Sequence, residues 1–207
     1  MRTAPFIGIS RHRLATDGQG IRTLIAFHGC PLSCKYCLNP SCLDSSSDKI
    51  QHKTSDEVIN ILKKDSLYFL ATKGGVTFGG GEPLLHAEFM KEIIEKYDGH
   101  LDVTVETSLN VPRKSLEIIL PYIQEFIVDI KDMNPLTYKA YTGKGNNIVK
   151  DNLEWLIQNG YADKIICRIP YIPNYNDNSA QVESIRELKQ MGITRFNKFN
   201  YIIREKI

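Results

Sequence analysis

Along nearly the whole chain, short β-like runs alternate with longer helical ones, and this alternation constrains the fold more than any other feature. Residues 21–27 alternate and are rich in β-branched side chains, which predicts a first strand. Further strands are predicted over 75–78, 101–105, 126–130, 164–169 and 196–203. Helical signals lie between them. Thr54-Ser55-Asp56-Glu57 has the form of a capping box and is followed by apolar Val58, Ile59, Ile61 and Leu62. Residues 86–97 place Phe89, Ile93, Ile94 and Tyr97 on one face, and that face, with Trp155, reads as core. Pro112 suits the start of a helix, 148–157 reads as another, and 179–191 as a last one closed by Gly192. Strands alternating with helices imply βαβ units and a parallel sheet, and six strands are too few for a closed eight-stranded barrel. In such sheets the working loops follow the C-terminal ends of the strands.

Composition narrows the class. The 207 residues carry 26 Lys+Arg against 24 Asp+Glu, a net charge of +2 with no basic stripe, so nucleic acid is not an expected partner. No apolar run approaches the roughly 20 residues of a membrane span, and no apolar stretch follows the N-terminal charge as a secretory signal requires. The expected address is the cytoplasm. No repeat and no Pro/Gly-rich linker interrupts the chain, and low complexity is confined to the serines at 45–47, so one domain over 1–207 is expected.

Five cysteines are distributed unevenly: Cys30, Cys34, Cys37 and Cys42 crowd together while Cys167 stands alone. Outside an oxidising compartment such a cluster is read as metal-binding rather than disulfide-forming. Cys30-Pro31-Leu32-Ser33-Cys34-Lys35-Tyr36-Cys37 follows the first predicted strand directly, in C-x3-C-x2-C spacing. Three thiolates on one loop can hold three irons of a 4Fe-4S cube and leave the fourth iron open. On spacing alone, a structural zinc site using all four clustered cysteines remains open.

The other strand ends carry polar residues as well. Gly79-Gly80-Gly81-Glu82-Pro83 follows the second predicted strand, where glycines allow close backbone approach and Glu82 can fix an ammonium group. Glu106-Thr107-Ser108 ends the third, and Asp129-Ile130-Lys131 the fourth. Asp129 follows an apolar run, so burying its charge requires a partner or a bound cation. Arg168 ends the fifth strand, its planar fork suited to a carboxylate. Cys42 and Cys167 read as ordinary thiols, and the histidines at 12, 52, 86 and 100 show no partner pattern.

The C-x3-C-x2-C loop with Tyr36 before its third cysteine resembles the cluster motif of the radical S-adenosylmethionine enzymes. Asp17-Gly18-Gln19-Gly20-Ile21-Arg22-Thr23, then Phe27-His28-Gly29-Cys30, with Asn39-Pro40 after the loop, resemble the glycyl radical enzyme activating enzymes, pyruvate formate-lyase activating enzyme among them. Gln19 stands where that group usually has proline.

The resemblance implies an α/β fold, a partial (β/α)6 TIM-like barrel with parallel strands, forming one radical S-adenosylmethionine domain with its cluster loop at 30–37. It implies an oxidoreductase whose 4Fe-4S cluster, on Cys30, Cys34 and Cys37, cleaves S-adenosylmethionine to a 5′-deoxyadenosyl radical that abstracts hydrogen from a glycine of a glycyl radical enzyme. The pyruvate formate-lyase (formate C-acetyltransferase) type is the expected target, and flavodoxin or ferredoxin the electron donor. Tyr36, Gly80, Gly81, Glu82, Thr107, Asp129, Lys131 and Arg168 would contact the cofactor. Glu106, Thr107 and Asp129 would hold a monovalent cation, with Glu106 in place of the usual Asp.

Two departures accompany the match. The Pro-Tyr-His segment that contacts the cofactor in longer activators reads Asn200-Tyr201-Ile202 here, and no second cysteine set lies between Cys37 and Gly79, as in a short form without the ferredoxin-like insertion. Two other readings stand beside this one. One is a radical enzyme acting on a small molecule. The other is a zinc-stabilised binding module, which would leave Glu82, Asp129 and Lys131 unexplained.

Overall fold

The computed structural model describes residues 2–14, 16–44, 46 and 50–201. Its strands are β1 (Thr3–Leu14), β2 (Ile21–Phe27), β3 (Gln51–Thr54), β4 (Gly75–Gly80), β5 (Asp102–Thr107), β6 (Glu125–Asp129), β7 (Ile165–Tyr171) and β8 (Arg195–Asn200). Its α-helices are α1 (Ser55–Lys63), α2 (Ser66–Thr72), α3 (Ala87–Lys96), α4 (Arg113–Ile119), α5 (Pro135–Thr142), α6 (Asn147–Gln158) and α7 (Asn178–Met191). Neighbouring strands follow the order β3-β1-β2-β4-β5-β6-β7-β8, an open sheet with β3 and β8 at its edges. β2 pairs with β4, β4 with β5, and β7 with β8, all parallel, while β1 runs antiparallel to both β2 and β3.

The six expected strands are β2 and β4 to β8. β1 and β3 are additions that the pattern did not predict. β1 carries Pro5, Gly8 and the charged Arg11-His12-Arg13 run, so its alternation is blurred, and its register shifts twice against β2. His12 adopts a left-handed backbone at φ 59° within the second of these irregularities. β4 continues two residues beyond the predicted 75–78, and the described part of β8 ends at Asn200. Ile202 and Ile203, the serines at 45 and 47, and the terminal charges at 204–206 lie outside the described residues.

The chain falls into two compact units. The first comprises residues 1–30, 39–107 and 111–127, the second 31–38, 108–110 and 128–207, so β6 passes from one into the other. In the first unit, Phe6, Phe27 and Phe78 are fully buried and Phe89 nearly so, with ring centroids 4.8 Å (Phe6–Phe27), 5.9 Å (Phe6–Phe89) and 6.0 Å (Phe27–Phe78) apart. Such packing supplies most of a core's apolar burial. Arg22 on β2 is also buried. Its guanidinium donates to Thr77 at 3.1 Å, to Thr104 at 2.9 Å and to Asp102 at 2.6 Å, and so ties β2 to β4 and β5. A buried cation is tolerated when its donors are satisfied in this way.

The capping box opens α1 as the sequence predicts: Thr54 N donates to Glu57 Oε2 at 2.7 Å, and Glu57 N donates to Thr54 Oγ1 at 3.3 Å. Gly192, at φ 108°, closes α7 in the left-handed conformation. In the second unit, α5 was not predicted. Asn134 caps it by accepting from Leu136 N and Thr137 N at 2.9 and 3.2 Å, and Pro135 takes its first position. Trp155, expected in the core, is only half-buried, whereas its helix neighbours Leu153 and Leu156 are fully buried. Among the described residues no helix is long and apolar enough to cross a membrane.

Candidate active site

None of the five cysteines is in a disulfide. Cys30, Cys34 and Cys37 are half-buried, while Cys42 and Cys167 are buried. This separates the three motif thiols from the two read as ordinary side chains. Burial alone pushes the Cys167 thiol up to about 12, as expected of an inert core cysteine.

The second unit holds Cys34 and Cys37 on an anchored loop. Leu32 is buried, Ser33 N donates to the Thr142 carbonyl at 2.9 Å, and Lys35 N to the Tyr141 carbonyl at 3.2 Å. The last turn of α5 thus has carbonyls that its own helix cannot satisfy, and the loop's amides use them. Cys37 N donates to Cys34 O at 3.3 Å, closing the tight turn between the two thiols. Tyr36 joins an aromatic group with Tyr141 at 6.1 Å and Tyr175 at 5.8 Å, and its hydroxyl accepts from Asn174 Nδ2 at 3.1 Å. Cys34 packs against the same group, built around Tyr141, Ile172 and Tyr201. Burial pushes the Cys34 thiol up, opposed by the positive charge of Lys131.

Lys131 is itself buried, 6% exposed, and its Nζ donates to Asp129 Oδ2 at 2.9 Å. Burial works against the ammonium, but Asp129 and its other neighbours outweigh it and hold Lys131 well above the ordinary lysine value. Asp129 is half-buried, with Lys131 as the partner that the sequence argument required. Its other oxygen, Oδ1, is buried with no hydrogen-bond partner. An orphan carboxylate oxygen beside a satisfied one offers an acceptor to an incoming ammonium or cation. Arg168 on β7 is half-buried, and its carbonyl accepts from Ile130 N at 3.0 Å, one residue from Asp129.

In the first unit, the glycine run ends β4. A Cβ on Gly80, whose φ is 98°, would lie 2.7 Å from the Ala26 Cα, and one on Gly81 would lie 2.1 Å from the Gly29 carbonyl oxygen. Gly81 N donates to Phe27 O at 2.9 Å and Glu82 N to Gly29 O at 2.8 Å. The close approach that these glycines permit is therefore made by the chain's own backbone at the stem of the cysteine loop. Glu82 is fully buried, and its Oε1 accepts from Thr107 Oγ1 at 2.7 Å and from Leu84 N at 3.3 Å. The structure thereby joins two predicted residues from the ends of β4 and β5. Glu106, beside Thr107, is half-buried.

Other polar groups here were not singled out from the sequence. His86 stacks on Phe27 at 4.9 Å, and its Nε2 donates to the His28 carbonyl at 3.0 Å, since a carbonyl can only accept. Burial holds the His86 imidazole below the ordinary histidine value. No sequence pattern marks Tyr201, whose hydroxyl accepts from Lys131 Nζ at 3.1 Å.

These residues fit an iron–sulfur cluster. The donor set is all thiol, which selects iron–sulfur or zinc over oxygen-seeking metals. Among the described residues, no three His, Cys, Asp or Glu side chains gather to hold one metal ion. Cys42, the fourth ligand of a zinc reading, is buried, with its Cβ at 3.2 Å from the Cβ position of Gly81. A cube instead takes one thiolate per iron, with no convergence on a single atom.

Comparison with known proteins gives the class. Residues 24–188 match the model of the Radical SAM superfamily, and the chain belongs to it. Among curated proteins, it is 28% identical over 249 aligned positions to the 4-hydroxyphenylacetate decarboxylase activating enzyme of Clostridium scatologenes, covering 88% of this chain and 80% of that one. It is 30% identical over 241 positions to the (2S)-3-sulfopropanediol dehydratase activating enzyme of Klebsiella oxytoca, covering 85% and 74%. The first alignment is longer than the 207-residue chain itself, so that relative carries residues inserted between the matched segments. Among solved structures, Streptococcus suis SuiB bound to its precursor peptide SuiA superposes with a TM-score of 0.66 at 18% identity, over 89% of this chain and 41% of SuiB. That likeness bears on the fold alone, the partial (β/α)6 barrel of mostly parallel strands expected from the sequence. Radical SAM enzymes use a 4Fe-4S cluster and S-adenosylmethionine.

Proposed function

We propose that this chain is the activating enzyme of a glycyl radical enzyme, and that residues 1–207 work as one catalytic domain. The observation that carries the reading is the set of three half-buried, unbridged thiols, Cys30, Cys34 and Cys37, in a chain otherwise holding only buried cysteines. The activating enzymes among its relatives support the substrate class. When bound, the reduced cluster and S-adenosylmethionine supply a 5′-deoxyadenosyl radical.

The chain's own residues bind and orient. Cys30, Cys34 and Cys37 hold the cluster as thiolates. The orphan Oδ1 of Asp129 accepts from the cofactor's ammonium or from a monovalent cation. Lys131 and Arg168 offer positive charge to its carboxylate. Glu82, bonded to Thr107, ties the ends of β4 and β5 together, and Gly80 and Gly81 pack against the backbone of Ala26 and Gly29. Tyr36 provides a ring face in the aromatic group around Cys34. Flavodoxin or ferredoxin is the proposed electron donor, and the cytoplasm the proposed compartment. The target is a glycyl radical enzyme, with the pyruvate formate-lyase type as one member to be tried beside decarboxylases and dehydratases.

Anaerobic reconstitution with iron and sulfide, then reduction with S-adenosylmethionine present, tests the reading. The expected result is brown protein that forms 5′-deoxyadenosine, stops doing so as Cys34→Ala, and raises a glycyl radical signal on one target of the panel. Colourless protein that retains zinc would overturn it. Deoxyadenosine without a radical on any glycyl enzyme would leave the family and remove the proposed substrate.

A further inference from the structure

A buried ammonium has to be held in place, and at Lys131 part of that task falls to Tyr201, the residue just after β8. Lys131 sits on the short segment after β6, and its four-carbon stem is flexible. Two bonds fix its head: Nζ to Asp129 Oδ2 at 2.9 Å and Nζ to Tyr201 Oη at 3.1 Å, the second spanning 70 positions of sequence. Nζ also stands 5.6 Å from the Tyr201 ring centroid, within reach of a cation–π attraction. An ammonium has three N–H donors, so two of them are committed and one remains.

Tyr201 is well placed to act as a fixed post. It is 9% exposed, and its backbone N donates to the Tyr171 carbonyl at 2.9 Å, which ties it to the end of β7. Its ring packs on Phe199 at 5.4 Å and Tyr141 at 6.1 Å, with Ile172 in the same buried group. Cys34 and Tyr36 of the cluster loop lie against that group too. The hydroxyl's position is thus set by the ends of β7 and β8 rather than by a free rotamer.

We propose that Tyr201 is a positioning residue for Lys131, its hydroxyl and ring holding the ammonium so that the remaining N–H is available to an anionic ligand group, the carboxylate of S-adenosylmethionine. This deepens and rests on the reading of the chain as an activating enzyme. It also gives Tyr201 a task that does not require a neighbouring histidine.

The test uses the reconstituted holoenzyme as wild type, Tyr201→Phe, Tyr201→His, Lys131→Met and the Tyr201→Phe/Lys131→Met double variant. Equilibrium dialysis reads S-adenosylmethionine affinity, and electron paramagnetic resonance reads the change in the reduced cluster when the cofactor is added. Tyr201→Phe keeps the ring, so iron content and melting temperature should hold while affinity falls about tenfold, the loss of one hydrogen bond to a charged group. Tyr201→His, which restores a ring acceptor, should recover part of that loss. The double variant should bind no more weakly than Lys131→Met, because both changes act through one ammonium.

Wild-type affinity in Tyr201→Phe would overturn the proposal, as would a double variant that loses the sum of the two single effects. If Tyr201→Phe melts early, Tyr201→His alone and combined with Lys131→Met decides instead: a double variant that loses the sum of the two single effects would overturn the proposal. Failure of the parent reading shows in the wild type alone, as a full cluster that binds no S-adenosylmethionine, and it removes this role as well.

Discussion

Gly81 makes the sharpest demand of any residue beside the cysteine loop. A Cβ there would lie 2.1 Å from the Gly29 carbonyl oxygen, a backbone atom one residue from Cys30. Backbone cannot swing aside as a side-chain tip can, so Gly81→Ala should destabilise the fold by about 1–3 kcal/mol, the range for overpacking. It should also lower iron uptake, because the displaced atom belongs to the stem of the cysteine loop. Gly145→Ala is the matched control, since a Cβ at Gly145 meets nothing within 4 Å. Denaturant unfolding and iron analysis of the two variants check this, and equal behaviour would refute it.

His86 sets a pH dependence at the same scale. Burial depresses its folded-state value below the ordinary 6.5. Above 6.5 the imidazole is neutral in both states and contributes nothing to the slope. As pH falls below 6.5, the unfolded chain takes up a proton that the folded chain refuses, so stability is lost down through the depressed folded value. His86→Gln, which can still donate to the His28 carbonyl without titrating, should flatten the loss of melting temperature between pH 7 and pH 5. An unchanged slope would rule His86 out as its source.

The capping box of α1 is the clearest element-scale case of local chemistry readable from sequence, because both of its hydrogen bonds join residues three apart. Thr54→Ala removes the side-chain acceptor and should cost about 1 kcal/mol, lowering the melting temperature by about 2–4 °C in a chain of this size. Thr54→Ser should stay near wild type. A Thr54→Ala melt that matches the parent would show that packing of Val58, Ile59 and Leu62 alone holds the helix. α5 carried an equally local signal, Asn134-Pro135, that goes unread when only apolar periodicity is followed, since two of its buried residues are tyrosines. β1 was illegible for a different reason. Its partners β2 and β3 lie on both sides, so pairing rather than side-chain pattern makes it a strand despite Pro5, the Arg11-His12-Arg13 run and the two register shifts.

At the scale of the whole molecule, site residues close in sequence were legible and those joined only by folding were not. Cys30, Cys34 and Cys37 announce themselves by spacing, and Asp129 with Lys131 stand two positions apart at one strand end. Glu82 with Thr107 and Lys131 with Tyr201 meet across 25 and 70 positions, and nothing local in the chain marks those pairs. The same contrast decides how much metal the chain should take. A cysteine's reach to a cluster depends on its exposure, and here only the motif thiols have it; Cys42 and Cys167 are buried. Reconstitution with excess iron and sulfide should therefore saturate at about four irons per chain, one cube. Cys30→Ala, Cys34→Ala and Cys37→Ala should each abolish it, while Cys42→Ala and Cys167→Ala should keep it, because neither of these buried thiols belongs to the cluster motif. A loss on replacing Cys42 would mean that a fourth thiol ligates the cube and that the open iron required for the cofactor is absent, and iron well above four would mean that the chain holds more than one cluster.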